Sequence, residues 1–475
     1  MSNPSASRRR LGRAAVVLAA LATVVVGCSK DDGADKADGT SSTTAASAAE
    51  ATVIRVPEDH KTIQAAVKAA KPGDMVLVGK GVYKEAVDVE VDDITIRGVD
   101  RNEVILDGEF KLENGIRILD TDGVVVENMT ARNYVSNGFY WTGSDRYRGS
   151  YLTAYRNGDY GIYAFDSYHG QFDHSYGSGS PDAGFYIGQC FECDAVIDNV
   201  VSEYNGLGYS GTNSGGELYI INSTFRNNRA GVVPNAGSYE LCYPGRANTI
   251  VGNVVHDNNY MDGPGIDVSL MAQGNGILLA GSINNIVERN LVYNHDRTGI
   301  AAVPFPEEDA SDTPPPADEL DRPCSETLDD EIPEEPVGTV IWSATGNRFV
   351  GNVVENSGMA DMASSTIALA EGDLTTKDLN NCFSGNTFAT TSPTDLEALA
   401  PCDGTGNGGD FEAGAFDLLK LIAEQPAKPD KESYRTTPVP PAQESMPDAA
   451  TAPHPRFEGP VKPDVAAIKV PAKPA

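Results

Sequence analysis

The sequence predicts an all-β solenoid with a capping helix at its N-terminal end. The first observation is a period: Gly138, Gly161, Gly184, Gly208 and Gly231 recur every 23 to 24 residues, each followed by an apolar or aromatic residue (Phe139, Ile162, Phe185, Tyr209, Val232). After a gap the pattern resumes at Gly276-Ile277 and Gly299-Ile300. A repeat this short cannot bury its own apolar face and must stack on its neighbours. The second observation is a run of short strand-like segments, Met75 to Val78, Ala86 to Val89, Ile94 to Arg97 and Val104 to Leu106, each closed by Gly, Asp or Asn. The third is asparagine at the turns. Asn199, Asn222 and Asn290 each stand nine residues before a repeat glycine, with Asn128 one residue off that register. Asn tolerates left-handed corners and can bond the Asn of the coil above and below.

The helix is read from Thr62 to Ala70. Ile63, Ala66, Val67 and Ala70 share one face, and Pro72-Gly73-Asp74 ends it. Placed at the open end of a solenoid, it covers backbone that would otherwise invite edge pairing.

These residues also resemble a family. Thr62-Ile63-Gln64, Ala66-Val67, Gly73-Asp74, Gly81, Tyr83 and Glu85, followed by Ile94-Thr95-Ile96-Arg97-Gly98 and Val104-Ile105-Leu106-Asp107-Gly108, are similar to the opening of right-handed parallel β-helix proteins of the pectin-lyase-like superfamily. With the glycine repeats, the resemblance covers roughly 53–390 and implies a right-handed parallel β-helix. It specifies activity poorly. Lyases of this superfamily pair acidic Ca²⁺ ligands with a basic residue that removes a proton beside a uronate carboxylate. Asp145 and Asp166, near Arg146, Arg148 and Arg156, keep Ca²⁺ and that chemistry in view. The paired-aspartate, His-Gly and Arg-Ile-Lys motifs of polygalacturonases are missing, and only Gly81-Val82-Tyr83-Lys84-Glu85 matches the pectin methylesterase set.

The N-terminus reads as an export address. Arg8-Arg9-Arg10 and Arg13 form a positive region, Leu11 to Val26 is an apolar stretch, and Val25-Val26-Gly27-Cys28 resembles a bacterial lipobox. That resemblance implies a signal peptide over 1–27, cleavage before Cys28, lipid on its sulfur and retention at the outer face of a membrane. Ser7 to Leu11 also resembles part of a twin-arginine signal. Residues 28–52, rich in Ser, Thr, Ala and Asp, read as a tether.

Formal net charge is −32, which argues against nucleic acid and anionic lipid as general partners, since binding them takes clustered Lys and Arg. Six cysteines besides Cys28 suit disulfides in an exported chain, with Cys190 to Cys193, Cys242 to Cys324 and Cys382 to Cys402 as the expected pairs. For Cys190 and Cys193, a redox pair or half a zinc site is the competing reading; zinc wants a second pair at similar spacing. The acidic, proline-rich stretch 304–336 reads as a disordered loop, 391–424 as a C-terminal cap including a helix from Phe416 to Ala423, and the Pro/Ala/Lys-rich 425–475 as a disordered spacer.

Chemistry concentrates between Phe139 and Asp194. Strand alternation turns the residue after each repeat glycine inward and the next one outward, so Tyr140, Tyr163 and Tyr186 form an outward column suited to the faces of sugar rings. Stacked aromatics also merely stabilise neighbouring strands. Asp159 and Asp182 each precede a repeat glycine by two residues. Held one rung apart, they would share a proton, bind a cation or act as acid and nucleophile; alternatively each caps its own turn. Asp166, His169, His174 and Arg148 lie close in sequence and complete the candidate catalytic set.

The expected function is binding, and processing, of a polysaccharide by an exported lipoprotein, of lyase, hydrolase or epimerase type. The competing expectation is a non-catalytic envelope scaffold or adhesin that uses the solenoid face to hold another protein.

Overall fold

A computed structural model describes residues 52–327, 332–333, 335–367, 378–406 and 418–474. The segment expected to be a signal peptide, Cys28 and nearly all of the expected tether lie outside the described residues. Among the described residues, three long parallel sheets carry the architecture, with 12, 11 and 10 strands. One coil shows the plan: Phe139–Thr142 lies in the 11-stranded sheet (C), Arg148–Ser150 in the 12-stranded sheet (A) and Thr153–Tyr155 in the 10-stranded sheet (B). The next strand of sheet C, Ile162–Phe165, then pairs in parallel on the first, Phe139 opposite Ile162. The chain is a parallel β-helix, as its repeats predict.

The glycine period has a steric cause. A Cβ on Gly138 would lie 2.6 Å from the carbonyl oxygen of Gly161, one on Gly161 2.6 Å from that of Gly184, and one on Gly208 2.5 Å from that of Gly231. At these three positions the next coil brings its backbone against the glycine at a distance no side chain tolerates, while Gly184 is crowded by Ser202 Oγ and Asn205. The following residue points inward: Phe139, Ile162, Phe185, Tyr209 and Val232 all belong to one core that runs from Val56 to Leu396.

Asparagine ladders line the interior corners, though not with all the expected members. Asn253, Asn290, Asn352 and Asn386 each donate Nδ2 to the Oδ1 of the next, at 3.0 Å in every step. A second ladder joins Asn248, Asn285, Asn347 and Asn381. A third runs Asn205, Asn228, Asn258 and ends on His295, whose pKa burial depresses to about 3, so the neutral ring completes the row. Asn290 is a rung as expected, whereas Asn199 and Asn222 are exposed corner residues with φ of 54° and 50°. Asn290→Ala is expected to destabilise the fold by about 3 kcal/mol, because the backbone N–H and Nδ2 of Asn253 lose a buried acceptor. Urea unfolding measures this; a midpoint unchanged from wild type would show that the ladder carries little stability.

Both ends are closed. The helix Ile63–Ala69, with Thr62 Oγ1 accepting from the Ala65 N–H, buries Ile63, Ala66 and Val67 against the first coil. At the far end, the short helix Leu396–Leu399 sends Leu396 into the core and packs on the strands Ala360–Ser364 and Cys382–Ser384. The expected helix near 416–423 spans Leu418–Ala423 among the described residues. It does not cap: Leu421 packs on the outer side of sheet C with Val233, Leu278 and Ala301.

Two segments read as disordered are ordered where described. Within 304–336, Phe305–Ala310 pairs antiparallel with Gly338–Trp342. Glu307 accepts from Ser238 N–H (2.8 Å), Ser238 Oγ (2.9 Å) and Trp342 Nε1 (2.8 Å). One carboxylate thus anchors a loop whose composition suggests solvation. Residues 328–331 and 334 lie outside the described residues.

The tail from 425 docks on sheets A and B. Arg97 Nη1 donates to the Ala452 carbonyl (2.7 Å), Arg101 Nη1 to Glu444 (3.0 Å), Arg156 Nε to Thr437 (2.8 Å), and Arg289 Nε to Ile468 (2.8 Å). Extended proline-rich backbone makes no hydrogen bonds of its own, so its carbonyls are open to such donors. Val465 and Ile468 also cover Val196, Tyr219, Ile221 and Val251.

Candidate functional site

Tyr140, Tyr163 and Tyr186 stand opposite one another on three coils of sheet C. Their rings stack at 4.9 and 4.7 Å, with interplanar angles of 2° and 12°. The flanking residues Phe139, Trp141, Ile162, Ala164, Phe185 and Ile187 fill the core, which turns the tyrosines outward as strand alternation requires. Outward is not the same as exposed. Tyr140 is half-buried, Tyr163 is 9% exposed and Tyr186 is 1% exposed. The segment after Pro234 folds over the column, and Glu240 meets the Tyr186 hydroxyl at 2.6 and 2.7 Å. That cover is fastened by Leu241 N–H to Gln189 Oε1 (2.9 Å), by Asn213 Nδ2 to the carbonyls of Gly237 and Glu240 (2.6 and 2.7 Å), and by the Cys242–Cys324 disulfide. Among the described residues, only the Tyr140 end of the column is open.

At that end lies a cleft of about 260 Å³, lined by Asn114, Arg117, Tyr140, Asp159, Tyr160 and Tyr163 among others. Arg117 stands one coil before Tyr140 in the same outward row, and its Nε holds Asp88 Oδ1 at 2.8 Å. Asp159 and Asp182 occupy the same corner on successive coils, linked by the Asp182 N–H to the Asp159 carbonyl at 3.2 Å. Burial pushes the Asp159 carboxyl above the ordinary range. Asp182 is pushed up by burial first and by the Asp159 charge second, while the Tyr160 hydroxyl, donating at 2.5 Å, opposes the shift. Asp159 reaches the cleft, whereas Asp182 is covered and bonded to Tyr160.

The remaining candidates face elsewhere. His169 sits on the corner between sheets C and A, with Nδ1 2.5 Å from Asp145 Oδ1 and Nε2 3.5 Å from Asp194. His174 lies on the next corner, between A and B, stacked on Tyr151 at 4.6 Å and bonded through Nδ1 to Asp173. Arg148 bridges Asp173 and Glu127. Asp166, His169 and His174 have φ of 48°, 52° and 49°, the geometry of corner residues. Because one coil turns three corners in 23 residues, side chains five to ten positions apart point in different directions. The structure therefore joins the tyrosines with Asp159 and Asp182, and separates them from Asp166, His169, His174 and Arg148. Asp145 is engaged by His169 and Arg146, and no group of three or more metal-ligating side chains converges among the described residues.

All three expected disulfides form, so Cys190 and Cys193 are a crosslink. Sequence reasoning missed Glu240 and Arg117. The last was findable, since it precedes Tyr140 by one repeat of 23 residues.

Glu240 yields a pH prediction. Burial pushes its carboxyl up to about 8 against an ordinary 4.5. A raised acid stabilises the fold fully below about pH 4.5, and that contribution is lost as pH rises through about 8. Glu240→Gln, which keeps a partner for Tyr186, is expected to flatten the fall in melting temperature between pH 5 and pH 8.5, at which the variant should be the more stable. Parallel melting curves for the two proteins would contradict this.

Residues 80–241 match the family model described as right handed beta helix region. No curated protein matches the chain by sequence. Among solved structures, an A-module of a mannuronan C-5 epimerase from Azotobacter vinelandii is similar at 12% identity, covering 69% of this chain and 91% of its own, with a TM-score of 0.42. An alginate lyase from Paenibacillus sp. str. FPU-7 is similar at 13% identity, 72% and 99% coverage and a TM-score of 0.36. The catalytic domain of a GH87 alpha-1,3-glucanase is similar at 12% identity, 70% and 68% coverage and a TM-score of 0.38.

Proposed function

From a chain that is a right-handed parallel β-helix protein, we propose that it binds a polysaccharide on the open end of the sheet C tyrosine column and that Asp159 moves a proton to or from the bound sugar. One observation carries the reading: the half-buried Tyr140 ring, stacked on Tyr163, lines a cleft together with Arg117 and Asp159. Ring faces pack against the C–H faces of sugars, while guanidinium and carboxyl groups bond their hydroxyl or carboxylate substituents. A carboxyl raised by burial is matched to proton transfer near neutral pH. Asp182, buried and bonded to Tyr160, stays off the sugar.

Incubation with neutral glucans and polyuronans, followed by analysis for new reducing ends, unsaturated ends and inverted centres, tests the reading. Turnover of at least one polymer that is lost in Tyr140→Ala is the expected result. Binding and turnover equal in wild type and Tyr140→Ala would remove the cleft from the function, and no interaction with any glycan would favour a protein-binding scaffold.

The proposal includes location: anchorage to the outer face of a bacterial membrane through lipid on Cys28, supported by the basic, apolar and lipobox-like order of residues 8–28. Among the described residues no helix is long and apolar enough to cross a membrane. Cys28→Ser is expected to shift the protein out of the membrane fraction, and retention of the variant there would contradict the anchor.

A further inference from the structure

We infer that the groove is blind at one end and receives the terminus of a glycan chain, an inference that rests on the carbohydrate reading above. The outward row of sheet C presents Arg117, Tyr140, Tyr163, Tyr186, Ser210 and Val233 on successive coils. Exposure collapses along it. The Arg117 side chain is 37% exposed, Tyr163 is 9%, and Tyr186, Ser210 and Val233 are 1%, 3% and 1%. In the other direction the row continues from Arg117 to Asp88, whose side chain is 49% exposed. The groove is therefore open toward the first coils and closed toward the later ones.

The closure is a wall. Glu240 stands on Tyr186, and the segment that carries it is tied by the Cys242–Cys324 disulfide and by Ser238, which gives both its N–H and its hydroxyl to Glu307. Glu307 is itself held by Trp342 Nε1. Together with the bonds from Leu241 to Gln189 and from Asn213 to Gly237 and Glu240, these ties make displacement of this segment by a sugar chain costly. A polymer lying along the column would meet the wall at the third tyrosine, one rung beyond Tyr163, at a spacing of about 4.8 Å. A chain end does not meet this obstacle. Asp159 lines the cleft together with Tyr163, the last ring before the wall, so the units within its reach are the terminal ones. The inferred ligand class is the end of a polysaccharide or a short oligosaccharide, and Glu240 is the residue that sets where the chain must stop.

The experiment uses the full chain and two probes, a β-1,3-glucan and a polyuronan, each intact and partly depolymerised, compared at equal mass of sugar by titration calorimetry. Sites occupied per unit mass are expected to rise in proportion to the number of chain ends. Occupancy that stays constant at equal mass overturns the inference and leaves the carbohydrate reading standing. No binding of either probe in any form overturns both. Glu240→Ala adds a second readout: loss of the wall is expected to raise occupancy on the intact polymer, and unchanged occupancy in a folded variant counts against the stop. Should that variant fail to fold, the comparison of ends with mass in the wild type still decides.

Discussion

Asp159→Asn is expected to lower turnover of the bound glycan by about 10²- to 10⁴-fold, the range for loss of a positioned proton-transferring group, with binding held within a few-fold. The amide keeps the shape and most of the polarity of the side chain, so the stack of Tyr140 and Tyr163 survives. What disappears is a proton that the site holds more tightly than water would, because burial raises the carboxyl. Asp182→Asn is the informative contrast. Asp182 accepts from Tyr160 and is buried, so its amide still accepts that bond and turnover should persist with a displaced pH profile. Kinetics of the two variants at several pH values check this, and equal loss in both would contradict the separation of roles.

Ending the chain after Glu424 is expected to destabilise the solenoid by on the order of 5 kcal/mol, from charged hydrogen bonds partly replaced by water and apolar cover removed. Arg97 and Arg101 are each 2% exposed and give donors to the tail. Val465 and Ile468 shield one apolar cluster on the outer side of sheet A, and Val470 packs against Val254, Leu291 and Tyr293. The tail is thus a strap over two faces of the helix, and its loss should also open those faces to proteases. Urea unfolding of full-length and shortened chains measures the effect; coincident curves would show that the docked tail contributes nothing.

Much of the fold was legible because its cause is local. The repeat glycines announce themselves at a near-fixed interval, since most are forced by the carbonyl of the next coil and Gly184 by Ser202 and Asn205. The same interval aligned Tyr140, Tyr163 and Tyr186 correctly, and would have added Arg117. Apart from Asn290, the two four-asparagine ladders escaped because insertions put their rungs 37, 62 and 34 residues apart, too irregular to show as a period. The tail escaped for a different reason: its partners are arginines some 180 to 350 residues away, and composition alone reports only that it lacks a core of its own. Burial of Tyr186 depended on Glu240, brought in by a loop with no repeat signature. Grouping His169, His174 and Arg148 with the aspartates treated nearness in sequence as nearness in space, and the corners of a coil undo that.

Backbone hydrogen exchange with and without a short oligosaccharide that the protein binds tests the central claim most directly. Protection confined to Asn114 through Thr142 and Asp159 through Phe165 is the predicted result, since these segments carry the cleft. Protection on the tail-covered sheets A and B, or over Leu278 and Ala301 on the later coils of sheet C, with none at Tyr140, would contradict it.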